Sequence, residues 1–498
     1  MNSRGEQLEK HEIVKAKLCE QLIGDDEAME KFSRIWEACS DMSFYIQQKL
    51  PGMTSVFGKT MEDFEMESFD DFPDSNVESS LSLEMKTISD FLNTPIKKIE
   101  KKEEDDINDR FQPIIDFPNF LLIVLKITRL LNEDDFNPLS FTLDDKELIK
   151  EFDKVNLTPG FVRGFAYNLL LAKYFLDNFV IHHTNGEDRA IENPWKLQYF
   201  YKKGSKAAYL KDLYEDKAQQ NEVIQLLSMF EVAFTPKQRK NYLFYCLYHL
   251  FEDCDLNNYV EFLRKLADKY FFDVYLDASK LNDINQPKPN SFDETIFNNG
   301  ELNVELEEVN RDFNRIYPIG SCNIPLYVFN YTDYKLWKKY VVELRGNKAK
   351  KNSRNRIDFF NSLGCSDFEL DTFNNFYFSR TRKSLEHYYP QAKAGDNMPI
   401  STQDINCYGN FAMIGSDANS SGSNWNPIDK KNRYLDTKSN QVSVASLKFR
   451  IMLQICQDNY NNGIKDKEKE RPFGLEWDAE DMVRHQKNML EIIMNNSE

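Results

Sequence analysis

Between Phe111 and about residue 345, apolar residues return at the three-and-four spacing of an α-helix in one stretch after another. "FPNFLLIVLKITRLL", "DDKELIKEF", "PGFVRGFAYNLLLAKYFLDNFVI" and "EVIQLLSMFEVAF" all carry it. In "TPKQRKNYLFYCLYHLF", Thr235 is expected as the N-cap and Pro236 as the first helical residue, where its missing N–H costs nothing. "NYVEFLRKLADKYFF" and "IPLYVFNYTDYKLWKKYVVEL" continue the series, interrupted by the polar loop "LNDINQPKPNSFDETIFNNGELN". Residues 9–50 read as two more helices, the second carrying "FSRIWEACSDMSFYIQQKL". A chain of 498 residues with 41% apolar side chains can build a large core, so the prediction is a mainly α fold without a fixed-period repeat.

Two regions break the pattern. Residues 62–107 ("MEDFEMESFDDFPDSNVESS", then "IKKIEKKEEDD") are acidic and then mixed in charge, which predicts a solvated linker with a short helix near 82–93. After about residue 370, "FNNFYFSRTR" reads as a strand leading into "SLEHYYPQ", and "NCYGNFAMIG" as a second short strand. A turn-rich "SDANSSGSNWNP" follows, then a helix from Pro427 with Asn426 as its cap. "WDAEDMVRHQKNMLEIIM" reads as an amphipathic helix capped by Asp478.

Composition removes several classes. Eight cysteines are scattered without a CxxC pair, which argues against a zinc ribbon and for reduced thiols in a cytoplasm. The charged start "MNSRGEQLEKHE" does not read as a signal peptide, and the most apolar run, "FPNFLLIVL", is about half a membrane span. The expectation is a soluble cytoplasmic protein with no membrane partner. A net charge of −18 restricts any nucleic-acid contact to a local basic patch.

Chemistry concentrates at Glu386, His387, Asn410 and Asn419, spaced 1, 23 and 9 apart. Carboxylate and amide oxygens suit a hard cation such as Mg²⁺. A histidine is the side chain best placed to take a proton from an attacking water near neutral pH. Metal-dependent phosphodiester hydrolysis needs both. Alone, a Glu-His pair is more often a surface pair; the asparagines and the strand–strand–helix context raise the reading above that. Neighbours on a regular strand face opposite ways, so the strand is expected to twist or end here, and Pro390 fits an ending. Asn424, in the same turn-rich run, is a rival to Asn419.

"LEHYYP" followed by "GNFAMIGSDANSSGSNWNPIDKKNRYL" resembles the HNH (ββα-metal) nuclease motif of the GmrSD-like restriction and phage-defence family. The resemblance implies that Glu386 and Asn419 bind a divalent metal, Mg²⁺ or alternatively Mn²⁺. It makes His387 the general base and Asn410 the asparagine that shapes the loop, with Lys430 contacting phosphate. "FQPIIDFPNFLLIVLKI" and "LYVFNYTDYKLWK" look like the family's helical connector, and "NSRGEQLEKHEIVKAKL" with "IWEACSDM" like the end of its ParB-like nucleotidase domain. The nucleotidase motif itself has no counterpart here; the one Gln-Arg pair, in "PKQRK", falls in a predicted helix, and no Walker A or GxGxxG is present. The implied organisation is 1–60 nucleotidase remnant, 61–110 linker, 111–370 helical connector and 371–498 nuclease domain, with the ββα unit packed on helices.

Nine Lys/Arg and one acid lie between Lys335 and Arg356. With Lys348, Lys350 and Lys351 among them, and Arg380, Arg382 and Lys383 nearby, this run is expected to contact DNA phosphates, although charge runs are usually solvated faces. His182 and His183 read as helix-end residues, His249 as a core histidine, His11 and His485 as helix-surface residues, and the cysteines as small core residues. The expected function is a metal-dependent DNA endonuclease of a restriction or antiviral defence system. The alternative is a non-catalytic helical scaffold that binds nucleic acid or a partner. Val14, Leu18, Leu22, Phe32, Ile35, Trp36, Met42, Phe44 and Ile46 are much apolar surface for two helices. They suggest a second polypeptide supplying the nucleotidase lobe, or self-association through the same face.

Overall fold

The structure, a computed structural model, describes residues 9–74, 112–183, 195–204, 206–297, 306–344, 346–396, 398–415, 424–434 and 446–494. It is mainly α, as the helical spacing predicts, and among the described residues strands occur only as three two-stranded antiparallel sheets. The chain forms two compact units, one of residues 1–220 with 236–259 and one of 221–235 with 260–498. The expected connector, 111–370, is thus shared between them.

In the first unit, α1 (Lys10–Glu20) and α2 (Asp26–Ser40) precede α3 (Phe117–Asn132) and α4 (Pro159–Phe179). Helix α2 lies along α4, which also packs on α3, while α1 lies on the short helix Leu148–Asp153. Thr158 caps α4 by accepting from the Phe161 N–H at 3.1 Å. Helix α4 continues into β1 (His182–His183), which pairs with β2 (Trp195–Lys196); β3 (Gln198–Tyr201) pairs with β4 (Tyr209–Asp212). His182 and His183 therefore lie on a strand and not on a helix end.

Three expectations about this unit change. The helix drawn through residues 32–50 breaks after Ser40: Asp41 turns out of helical geometry and accepts from the Ser43 N–H at 3.2 Å, a local bond that competes with the helix. The chain restarts as the short helix Ile46–Lys49, whose first N–H donates to Asp177 at 2.7 Å. Buried Lys173 pairs with Asp177 at 2.6 Å and donates to the Phe44 carbonyl, so one ion pair in α4 fixes the restart. Residues 62–74 are not solvated linker, because Met66, Phe69 and Phe72 are buried and Tyr167 donates to the Met66 carbonyl. Residues 75–111, which hold the rest of that linker and its expected short helix, lie outside the described residues. Finally, Val14, Leu18, Leu22, Phe32, Ile35, Trp36, Met42 and Ile46 are all buried and Phe44 is half-buried, so the apolar face that in the sequence suggests a partner is internal.

Helices α5 (Lys217–Ala233), α6 (Pro236–Glu252) and α7 (Leu256–Lys269) follow. The second unit contains α8 (Leu306–Ile316), α9 (Leu326–Glu343), α10 (Arg354–Leu363), β5 (Ser384–His387), β6 (Phe411–Ile414), α11 (Pro427–Tyr434), α12 (Leu447–Lys465) and α13 (Ala479–Met494). Asp478 caps α13 through the Glu480 and Asp481 N–H groups at 3.0 and 3.1 Å. Helix α12 lies against β6, α9 and α11, and α13 against α8 and α9. His485 is fully buried and not on the surface, since Met482, His485 and Met489 share one face of α13 at i, i+3 and i+7. Of the cysteines, Cys39, Cys246, Cys365, Cys407 and Cys456 are buried, whereas Cys254 and Cys322 are exposed.

Candidate active site

Strands β5 and β6 pair in the register Ser384–Ile414, Leu385–Met413, Glu386–Ala412 and His387–Phe411, and α11 follows, giving the strand–strand–helix order. The strand expected over "FNNFYFSRTR" does not form. Phe376 and Phe378 are buried and their rings meet edge to face, 5.1 Å between centroids, but the Phe376 carbonyl is taken by the Gln225 side chain at 2.7 Å in place of a neighbouring strand. The ladder begins at Ser384 and ends at His387.

Asn410 holds the end of that ladder in shape. It is fully buried; its Oδ1 accepts from the Tyr389 N–H at 2.8 Å and the Trp477 indole N–H at 3.2 Å, and its Nδ2 donates to the Tyr389 and Ile405 carbonyls at 3.1 and 3.0 Å. All four hydrogen-bonding capacities of the amide are spent on the turn and on Trp477, so it has none left for a substrate or metal. Gly409, beside it, lies so close to α13 that a Cβ there would stand 1.9 Å from the Met482 carbonyl oxygen. Lys448, from α12, donates to the Tyr408 and Phe411 carbonyls at 2.9 and 2.6 Å and closes the turn from below.

His387 is half-buried against the Phe411 ring, 4.4 Å between centroids, and its Nε2 lies 2.9 Å from the Asn406 Oδ1. The Asn406 Nδ2 donates to the Thr402 carbonyl at 3.1 Å. Burial pushes the imidazole below its ordinary value; the Asn406 contact opposes this and the nearby Lys430 ammonium adds to it. A neutral imidazole is thereby favoured, which is the form that accepts a proton.

Glu386 is buried, 4% exposed, and its Oε1 lies 2.5 Å from the Lys430 ammonium. Burial raises the carboxyl and lowers the ammonium, each opposed by the other's charge. Lys430 is itself 1% exposed and also donates to the His387 and Tyr388 carbonyls at 2.5 and 3.1 Å. Its three N–H groups are spent inside, so Lys430 does not present itself to a DNA phosphate as expected. Arg382 is likewise withdrawn: it is 2% exposed, lies over the Phe376 ring and donates to the Tyr377 carbonyl at 2.9 Å. Arg380 reaches the buried Glu231 at 3.3 Å. Lys348, Lys350 and Lys351 are exposed on the loop before α10, while Lys338 pairs with Glu222 and Arg356 with Asp367.

Asn419 lies outside the described residues, and its rival Asn424 is exposed. Among the described residues, no group of three or more His, Cys, Asp and Glu side chains stands together as a metal site. The chemistry around Glu386 nonetheless fits a hard cation, because three oxygens (the Glu386 Oε1 and the His387 and Tyr388 carbonyls) converge on one positive charge. Asn406 and the Lys430 ion pair escaped sequence reasoning. Asn406 lies in a polar turn like many others, and a lysine in a first helical turn carries no mark of burial.

Among the described residues, no helix is long and apolar enough to cross a membrane. A comparison with family models, curated proteins and solved structures returns no match to this chain.

Proposed function

We propose that the chain is a metal-dependent phosphodiesterase of the ββα-metal type acting on DNA, in a restriction or antiviral defence setting that rests on the motif resemblance alone. The observation that carries the reading is the β5–β6–α11 order, with Glu386 and His387 at the end of the first strand and Asn410 locking the turn before the second. Glu386, with Asn419, would hold the divalent ion. When bound, that ion supplies Lewis-acid stabilisation of the charge that develops on the phosphate and the leaving oxygen. His387, held on Asn406 and Phe411, takes the proton from the attacking water. Exposed Lys348, Lys350 and Lys351 contact the backbone without reading sequence.

A second reading has one observation in its favour. Glu386 is already neutralised by a buried lysine, as in a ββα unit kept for binding and not for cutting. A supercoiled-plasmid nicking assay with Mg²⁺ or Mn²⁺, with chelator, and with the His387→Ala protein decides between them. Metal-dependent nicking lost in His387→Ala supports the enzyme. DNA retention without nicking supports the scaffold.

A further inference from the structure

The contacts of Lys430 go beyond neutralising a carboxylate. Its ammonium sits in a cage of three oxygens supplied by three consecutive residues, at 2.5 Å from the Glu386 Oε1, 2.5 Å from the His387 carbonyl and 3.1 Å from the Tyr388 carbonyl. Lys430 is drawn into the cage by the first turn of α11, where its own N–H donates to the Asn426 carbonyl at 3.0 Å. Nearby, the Lys393 ammonium donates to the Asn426 Oδ1 at 2.5 Å. The place at Glu386 that a divalent ion requires is therefore held by a lysine belonging to the same unit.

We propose that Lys430 is the resident counter-cation of this site, and that a divalent ion binds Glu386 only by displacing the Lys430 ammonium from it. The inference rests on the nuclease reading and deepens it by making Lys430 the residue that sets metal affinity. Two positive charges cannot share one buried carboxylate without strong repulsion, since like charges a few ångströms apart at a partly dry site are little screened. Exchange has a further consequence. Once displaced, Lys430 brings an ammonium to the edge of the site where the phosphate of a substrate would lie, a role it does not have while caged.

The test uses the full chain and Mn²⁺ alone as the probe, with binding read from the loss of the free-ion electron paramagnetic resonance signal. Lys430→Met keeps the apolar stem and removes the competing charge, so it should bind Mn²⁺ about ten-fold or more tighter than the wild type. Glu386→Gln should bind it weakest. In the wild-type protein, acylation of Lys430 read by mass spectrometry should be slow without metal and rise several-fold at saturating Mn²⁺. This second measurement decides the matter if Lys430→Met does not fold. Wild-type binding of Mn²⁺ with Lys430 protection unchanged overturns the exchange and leaves the nuclease reading standing, as does a Lys430→Met protein that binds no tighter. Absence of Mn²⁺ binding in wild type and Lys430→Met alike overturns both.

Discussion

His387 Nε2 and Asn406 Oδ1 stand 2.9 Å apart, and the Asn406 amide is turned that way by its own donation to the Thr402 carbonyl. The Nε2 of a neutral His387 must therefore carry the proton, which leaves Nδ1 as the basic nitrogen. Replacing the base, in His387→Ala, should cost cleavage roughly 10²–10⁴-fold while leaving the thermal midpoint near that of the wild type. Asn406→Leu should keep the ring but free its tautomer, lowering turnover by roughly ten-fold or more. The ring ¹⁵N shifts of His387 would report the change directly, and unchanged shifts with unchanged turnover would refute the assignment.

On the proposed reading, the oxygen donors at Glu386 make cleavage metal-dependent. Chelation should abolish cleavage and re-addition of Mg²⁺ or Mn²⁺ restore it. Glu386→Ala should do more than remove a ligand. It leaves Lys430 buried without its countercharge, an arrangement that costs about 3–5 kcal/mol. A drop in the denaturation midpoint of Glu386→Ala that is repaired in Glu386→Ala/Lys430→Met would identify that cause; full activity in chelator would show that other chemistry is at work.

DNA affinity should depend on the exposed loop before α10 and not on the withdrawn cations. Changing Lys348, Lys350 and Lys351 together to Glu should weaken binding to all sequences alike and flatten its salt dependence. Titrations at several salt concentrations check both; an unaltered slope would mean that the loop is only a solvated surface.

Gly409 is required for space. A methyl group there would stand 1.9 Å from the Met482 carbonyl, a backbone atom that cannot swing aside, so α13 or the Tyr408–Asn410 turn must shift. Gly409→Ala should destabilise the second unit by about 1–3 kcal/mol or more and reduce cleavage through Asn410. Calorimetry of the variant is the direct check.

Asp333 gives the second unit a pH signature. It is fully buried, its Oδ1 accepts from the Lys448 N–H at 2.9 Å, and its Oδ2 has no hydrogen-bond partner among the described residues. Burial raises its carboxyl to about 6, against the pull of nearby Arg382 and Lys448. Because the folded value lies above the unfolded one, at about 4, the native state holds the extra proton between the two. The stability this contributes is complete below about pH 4 and is lost as pH rises through about 6. Asp333→Asn should therefore gain on the wild type as pH rises from 4 to 6.5, seen in urea midpoints; a constant difference across that range would contradict it.

Helix content was legible because its signal is repeated. Each of "PGFVRGFAYNLLLAKYFLDNFVI" and "IPLYVFNYTDYKLWKKYVVEL" shows several turns of the same spacing, and the Asp478 cap follows a local rule. The strand–strand–helix order around Glu386 and His387 was legible from "NCYGNFAMIG" and Pro427, although the first strand, expected over "FNNFYFSRTR", forms at Ser384–His387 instead. What escaped were effects of distant partners. Nothing local marks Lys430 for burial, or tells that Arg382 turns inward over Phe376, because burial of a long cation is decided by what packs on it. The aromatic rhythm of "FNNFYFSRTR" records real burial, yet a strand also needs a neighbour, and a glutamine from α5 took that position. The acidic composition of residues 62–74 likewise hid three apolar anchors.

The indole of Trp477, donating to Asn410 from a residue 67 positions later, ties the turn to the far end of the chain. With Lys448 beneath the same turn and the Met482 carbonyl against Gly409, three contacts from beyond α11 hold a loop that precedes it. Residues 376–440 thus do not form a transplantable cassette. Grafted alone onto another protein, they would lose the indole, the ammonium and the helix that keep the turn closed. Recombination that exchanged this segment would have to carry the chain through α13 with it, so the smallest unit that evolution or an engineer can move extends to that last helix.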